Sequence, residues 1–461
     1  MFFSNQFFRK PSVFFEKHRN KLLILTSTIL YVFFAYDLEK TSFNKLLFLW
    51  FSLFGCFYLL LKNKSISIPY LVGLVILFRF IFLFSTPNLS QDFYRFIWDG
   101  RMILEGINPY LSFPKTFIKQ SIQPIHDAYQ LYKGMGELNA SHYTNYPPIN
   151  QLCFLVAAMF AGKSIFGSII VLRVIIITAD IGILYFGIKL LKRLELPIKN
   201  IFWYALNPFI IIEMTGNLHF EPVMIFFLIW SFYMLHKQQW IWAAILLACS
   251  VSVKLIPLLF LPLYYQWFVK NSQNWLRGFL KLHLFYIVVV STLLLLFLPF
   301  YTQGFLENYS NSLGLWFRDF EFNASFYYVF REIGYLFRGY NEIAILGKLT
   351  AVITIIFLII VTFFRNNNSM TQLITVSLFG LCFYYFMSTT VHPWYLATPL
   401  VLSIFTKYRF PMIWTLIIIF SYQAYIHIPT QENLWWVSLE YSILYGFLLF
   451  ELRKTSNKIT L

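Results

Sequence analysis

Charge is scarce in this chain. Only 12% of the 461 residues are Asp, Glu, Lys or Arg, while 59% are hydrophobic and 21% aromatic. A sequence so poor in charge is neither disordered nor an ordinary soluble domain. Cysteine is scarce too: Cys56, Cys153, Cys249 and Cys382 each sit inside an apolar run. None has a partner at metal-site or redox spacing, so they read as core filler without a disulfide framework. No glycine-rich phosphate loop is present, which argues against a nucleotide substrate. The N-terminus lacks a cleavable signal. Arg9, Lys10, Lys17, Arg19 and Lys21 precede the first apolar run with no small-residue cleavage site behind it, so that run is expected to stay as an anchor.

What is present is a series of apolar runs of roughly 15–22 residues, the mark of a polytopic helical membrane protein. The formal charge of +16 would suit nucleic acid, but the basic residues cluster in short connections between apolar runs. There they act as topology signals and contacts to anionic lipid headgroups, and no nucleic-acid partner is expected. Spans are predicted near 22–36, 46–61, 68–85, 165–188, 200–214, 222–235, 240–252, 255–268, 282–299, 343–364, 371–390, 394–406, 411–427 and 434–450. The stretch 149–161 is expected to dip into the membrane without crossing, because a full crossing would put Lys189, Lys192 and Arg193 outside. This gives roughly 14 spans with both termini cytoplasmic. Residues 1–21 form a basic cytoplasmic segment, and 22–461 a single membrane domain. Its long external loops cover about 86–148 and 300–342, the second holding Trp316, Arg318, Asp319, Glu321 and Arg331. The fold class is an all-α polytopic transmembrane bundle, with amphipathic helices in the first external loop.

The first external loop contains the densest charge in the chain. Between Ser90 and Tyr110 it carries Asp92, Arg95, Asp99, Arg101 and Glu105. On a helix, Asp92, Arg95 and Asp99 fall near one face, with Phe93, Phe96 and Ile97 as an apolar stripe beside them. This is the pattern of a helix lying on a membrane surface; a solvated loop with helical salt bridges fits the spacing equally well. Counting Lys and Arg in the inner connections places Asp92, His219, Glu221, Lys254 and His392 together at the external surface. Ionisable groups there are costly and usually functional.

The string D-x-Y-R-x-x-W-D-G-R-x-x-x-x-G-x-N-P-Y from Asp92 to Tyr110 resembles the first external loop of the GT-C class of membrane glycosyltransferases. It is most similar to bacterial polyprenyl-phosphate-mannose-dependent mannosyltransferases and, more distantly, to the first GPI mannosyltransferase of eukaryotes. The Tyr146-Pro147-Pro148-x-x-Gln151 run, Gly216-x-x-His219-x-Glu221, Lys254-x-x-Pro257 and His392-Pro393-Trp394-Tyr395 extend the resemblance. Family members usually open the motif with two acidic residues. Here Ser90 and Gln91 precede a single Asp92, which weakens a metal-binding role for the loop.

The resemblance implies inverting glycosyl transfer, with mannose as the sugar, from a polyprenyl-phosphate donor to a glycan or glycolipid acceptor at the external face of a bacterial plasma membrane. Asp92 is expected to act as general base, and Lys254, Arg101 and His392 to bind the donor phosphate. Asp99, His219, Glu221, Trp394 and Tyr395 are expected to position sugar or acceptor. No cofactor is required by this logic. His219 and Glu221 are the possible ligands of one divalent cation; as plain structure they form a helix N-terminal cap with Pro222 in the first turn. Lys254 as plain structure is a snorkelling lysine, and Trp394 and Tyr395 are interface-belt aromatics. Arg173 and Asp180, two turns apart in one span, are expected to form a buried structural pair rather than part of a donor tunnel. The alternative function is a transporter or flippase of a sugar or polar lipid, which also needs many spans and intramembrane charge.

Overall fold

A computed structural model describes residues 10–63, 66–318, 320–426 and 431–456. The basic residues Arg9, Lys64 and Lys458, Asp319, and the expectations for residues 1–9 lie outside the described residues. So do the side chains of Trp316 and Arg318. Among the described residues the chain is helical, with no strand beyond an isolated bridge between Phe322 and Thr390.

The N-terminal third comprises α1 (Lys10–Tyr36), α2 (Phe43–Lys62) and α3 (Ile68–Ile81), followed by the first long loop. That loop holds α4 (Asp92–Leu104), α5 (Pro114–Lys119) and α6 (Ala128–Ala140). Next come α7 (Pro148–Ala161), α8 (Ile165–Arg193), α9 (Phe202–Ala205), α10 (Glu221–His236) and α11 (Trp240–Val251). Helices α12 (Tyr264–Val269) and α13 (Trp275–Phe297) lead to the second loop, with α14 (Phe305–Arg318) and α15 (Phe326–Arg338). The chain ends with α16 (Ile343–Phe364), α17 (Met370–Met387), α18 (Ala397–Ser403), α19 (Phe410–Ile417) and α20 (Leu434–Ser456).

Among the described residues, five helical segments are long and apolar enough to cross a membrane: α2, α8, α13 with its continuation to Phe300, α16 and α17. A sixth candidate is the bent pair Ile210–Gly216 and α10, whose axes meet at 112°. The expected spans at 22–36 and 434–450 fall on the long helices α1 and α20, and those at 68–85, 240–252, 255–268 and 411–427 on shorter apolar helices or helix pieces. The break before the bent pair is legible in the run around Asn207-Pro208. Proline removes a helical donor, and Asn207 Oδ1 accepts the Phe209 N–H at 3.0 Å instead. The chain restarts as a π-helical turn, Ile210–Gly216, and folds back at Leu218, which holds a left-handed φ of +63°. Irregular backbone at membrane depth is tolerated where protein surrounds it, and every residue from Ile210 to Gly216 is buried.

The helix carrying the charged motif is not a surface helix. Phe93, Arg95 through Met102 are buried, with α6 on one side and α7 on the other. Gly100 permits the α7 contact, because a Cβ there would overlap the Phe154 carbonyl. Phe96 stacks on Phe154 with ring centroids 4.6 Å apart. The apolar stripe therefore faces protein, not lipid.

Arg173 and Asp180 do not pair. Arg79 of α3 takes Asp180, donating from Nε to Oδ2 at 2.8 Å, and also donates from Nη1 to the Ala205 carbonyl at 2.8 Å. Arg173 instead donates to the carbonyls of Thr215, Leu83, Ser85 and Gly216. It ties the end of the π turn to the chain leaving α3. Two turns of one helix separate Arg173 from Asp180, farther than side chains at i and i+3 or i+4. Each finds a nearer partner on another element.

Candidate active site

The motif of the first loop is largely a brace for its own ends. Arg95 Nε donates to Asp99 Oδ1 at 2.9 Å, one turn along α4. Asp99 Oδ2 accepts from Gln151 Nε2 at 3.1 Å, and that same amide nitrogen donates to Thr144 at 3.0 Å. Tyr110 donates its hydroxyl hydrogen to the Tyr146 carbonyl at 2.6 Å. The Asn-Pro-Tyr and Tyr-Pro-Pro-x-x-Gln elements therefore clamp each other and fix where α7 begins.

Two expected site residues are consumed by this brace. Asp99 is fully buried between Arg95 and Gln151. Arg101 donates from Nη1 to the His126 carbonyl at 2.7 Å and from Nη2 to the Lys163 carbonyl at 2.8 Å, with Asp127 at 3.5 Å. It joins the α5–α6 connection to the α7–α8 turn and is 4% exposed, with both terminal nitrogens of its fork taken by backbone carbonyls. Replacing Arg101 with Lys, which lacks a planar fork, is expected to lower the melting temperature. It should cost about 1–3 kcal/mol, with the KM for donor unchanged; a raised KM would return Arg101 to the substrate site.

Asp92 differs from its neighbours. It is half-buried at the first turn of α4. Its Oδ1 accepts from Asn139 Nδ2 at 3.1 Å, and its backbone N–H donates to Ser90 Oγ at 3.3 Å. Burial pushes its carboxyl above the ordinary aspartate range, offset in part by Asn139 and by the nearby Lys254 and Lys40 ammonium groups. A carboxylate so placed keeps basicity that a solvated one lacks.

Helix breaks bring the remaining groups together. Lys254, in the turn after α11, forms an ion pair with Glu221, the first residue of α10. Its ammonium also stands 5.8 Å from the Tyr395 ring centroid. His219 stacks on Trp394 with centroids 3.9 Å apart, and His392 stacks on Trp394 at 4.5 Å. Phe322 stacks on His392 at 5.3 Å, positioned by the Val391 N–H donating to its carbonyl at 2.8 Å. Trp394 thus holds two imidazoles and is not a free interface aromatic. Lys254, Glu221, His219, His392, Trp394 and Tyr395 are brought together near Asp92; Asp99 and Arg101 are not.

Sequence reasoning missed three members of this cluster. Glu213, fully buried in the π turn, accepts from the Tyr422 hydroxyl at 2.6 Å. Its Oε2 lies 3.7 Å from His219 Nε2, and among the described residues neither atom has a hydrogen-bond partner. A carboxylate inside the run Phe209–Met214 was itself a visible signal. Lys40, in the α1–α2 connection, stands 3.6 Å from the Tyr425 ring centroid. Asn139 had no distinguishing mark in the sequence.

His219 and Glu221, the pair named as possible cation ligands, engage different partners. Glu221 is taken by Lys254, and no group of three or more potential ligands comes together among the described residues. The arrangement offers a basic carboxylate, two ammonium groups and unsatisfied polar atoms on buried side chains, at the point where several helices break.

A cavity of about 480 Å³ opens at the end of α4 away from Asp92, lined by Ile103, Ile149, Leu152, Leu155, Leu295 and Phe300 among others. Leu152 and Leu295 on its rim are 54% and 68% exposed, so it reaches the outer, lipid-facing side of the bundle. One lining residue is tied to the chain that leads to Lys254: the Ile149 N–H donates to the Ser252 carbonyl at 2.9 Å, two residues before Lys254.

No curated protein matches the chain. The family model of alpha-(1->6)-mannopyranosyltransferases, N-terminal domain, matches residues 25–270, which include Lys40, Asp92, Asn139, Glu213, His219, Glu221 and Lys254. His392, Trp394 and Tyr425 lie beyond the matched region and complete the same cluster. This chain, a membrane protein by its apolar helices, therefore belongs to the MptA_B family of mannosyltransferases.

Proposed function

We propose that the protein transfers a mannosyl group, with inversion, from a polyprenyl-phosphate donor to an acceptor hydroxyl at the external membrane face. The observation that carries this reading is the position of Asp92: a half-buried carboxylate with raised proton affinity, near the Lys254 and Lys40 ammonium groups, at the start of the helix whose other end lines an open cavity. The isoprenoid tail lies in this cavity, between α7 and α13. Its phosphate sits at the inner end, near Lys254 and His392.

Asp92 removes the proton from the acceptor hydroxyl as the acceptor oxygen attacks the anomeric carbon. The bond from that carbon to the phosphate oxygen breaks, and polyprenyl phosphate leaves with the negative charge. Lysine ammonium groups stabilise this charge as it develops. Glu213, His219 and Glu221 supply buried polar atoms that suit sugar or acceptor hydroxyls. Trp394 and Tyr395 hold the imidazoles and the Lys254 side chain in place. Nothing in this chemistry requires a nucleotide or a metal.

In this reading the termini are cytoplasmic and the α4–α6 loop is external. Thr116→Cys should label with a membrane-impermeant maleimide from outside intact cells, and Lys192→Cys should label only after permeabilisation. The reverse pattern would remove the external site. Activity is tested with purified protein and polyprenyl-phosphate mannose: release of polyprenyl phosphate and extension of an acceptor in equal amounts are expected, and release of neither would contradict the assignment.

A further inference from the structure

Lys40 lies in the short connection between α1 and α2, yet it is drawn into the cluster around Asp92. Asn88, at the entrance to the first external loop, anchors this connection by donating to the Phe34 carbonyl at 2.7 Å and the Leu38 carbonyl at 3.2 Å. The half-buried Lys40 ammonium then rests over Tyr425, 3.6 Å from the ring centroid. Tyr425 packs against Tyr422, which donates to Glu213, and against Phe322, which stacks on His392.

The nearby lysines differ in their partners. Lys45, in the same hairpin, is paired with Asp37, and Lys254 with Glu221. Among the described residues, Lys40 has no carboxylate within ion-pair distance. A half-buried ammonium without a counter-ion is costly, and a phosphate at this place would relieve that cost. Asp92 of α4 and Glu213 of the π turn act on it through space, too far for direct pairing. Tyr425 faces it from the segment Ile418–Ile426, and the His219 and His392 imidazoles lie close enough to feel its charge.

We propose that Lys40 is a phosphate-binding cation of this site, engaging the lipid-linked phosphate of the donor together with Lys254. The identity of that phosphate rests on the function proposed above; the presence of a second anion-binding cation rests on the geometry.

Burial pulls the Lys40 ammonium down to about 8, although Asp92 and Glu213 both favour its charged form. The group is charged below that pH and neutral above it, so phosphate binding weakens as pH rises through this region. The test is the pH profile of kcat and of kcat/KM for polyprenyl-phosphate mannose, from pH 6 to 9.5. It is paired with binding of undecaprenyl phosphate and of inorganic phosphate to the same detergent-purified full-length protein.

For the unaltered protein, kcat/KM should fall above pH 8, approaching tenfold per pH unit, with kcat much less affected because bound phosphate keeps Lys40 charged. Lys40→Arg should abolish this alkaline limb, since guanidinium does not titrate there. Lys40→Ala should lower kcat/KM and undecaprenyl-phosphate affinity about 10- to 100-fold at pH 7. Competition by inorganic phosphate that is lost in Lys40→Ala would identify the phosphate group alone as the ligand. Competition only by undecaprenyl phosphate would show that the lipid is needed as well.

If Lys40 only props Tyr425, Lys40→Ala lowers the melting temperature while the alkaline limb and phosphate affinity persist, and the proposal is overturned with mannosyl transfer intact. If the unaltered protein binds undecaprenyl phosphate in a Lys40-dependent way yet transfers no sugar, the phosphate site stands and the proposed reaction falls. If it does neither, both fall.

Discussion

Asp92→Asn is expected to lower kcat about 10²- to 10⁴-fold, equivalent to roughly 3–5 kcal/mol of lost transition-state stabilisation. Expression and melting temperature should stay near those of the unaltered protein. The substitution is close to isosteric, and the Asn139 amide at 3.1 Å can still donate to the new carbonyl oxygen. What it removes is the ability to accept a proton. The unaltered enzyme should also show an acid limb. Because burial raises the Asp92 carboxyl above the ordinary aspartate range, the base is protonated and inactive below that raised value and active above it. The limb should therefore lie at higher pH than a solvated aspartate would give, and residual activity in Asp92→Asn should lack it. Rates within a few-fold of the unaltered enzyme would remove Asp92 from the proton-transfer step.

The second large effect is on folding. Asp180→Ala is expected to destabilise the bundle by about 3–5 kcal/mol, because it leaves the Arg79 guanidinium buried without its counter-ion. Arg79 and Asp180 are 0% and 2% exposed, and their 2.8 Å contact joins α3 to α8. Tyr204, which donates to Asp180 Oδ1 at 3.3 Å, loses its partner in the same step. Replacing both members, Arg79→Leu with Asp180→Leu, should recover most of the loss, since an apolar pair of similar volume often matches a buried ion pair. Thermal melts of detergent-purified protein read both. Equal destabilisation by the single and double variants would show that the Ala205 carbonyl contact, not the charge pair, is what matters.

Comparison of these residues shows what kind of information the sequence carries. Positive-inside counting assigns Asp92, His219, Glu221, Lys254 and His392 to one membrane face, and the structure gathers these residues into one cluster. The distribution of Lys and Arg is written along the chain and needs no knowledge of packing. Asp99 and Arg101 share the motif with Asp92, but helical spacing gives only the face on which a side chain emerges. It does not say that Gln151 covers Asp99, or that the His126 and Lys163 carbonyls take Arg101. Arg79 and Asp180 are 101 positions apart, and only the fold makes them partners. Lys40 was hidden for another reason. Its connection also holds Asp37 and Glu39, with Lys45 in the first turn of α2, so the charges balance and the stretch reads as a solvated turn. The broken helices were obscured by the apolar runs themselves. A stretch such as Phe202–Glu213 is hydrophobic enough to suggest a crossing, while Asn207 and Pro208 divide it.

The most direct test of the central claim follows the sugar. Protein in sealed liposomes is given polyprenyl-phosphate mannose labelled in the sugar, together with an externally added acceptor. Catalysis by Asp92 at the external face predicts that label moves to the acceptor while polyprenyl phosphate accumulates in equal amount, and that Asp92→Asn stops both. Label that crosses the bilayer still joined to its polyprenyl phosphate, with none on the acceptor, would contradict the account and identify a transporter.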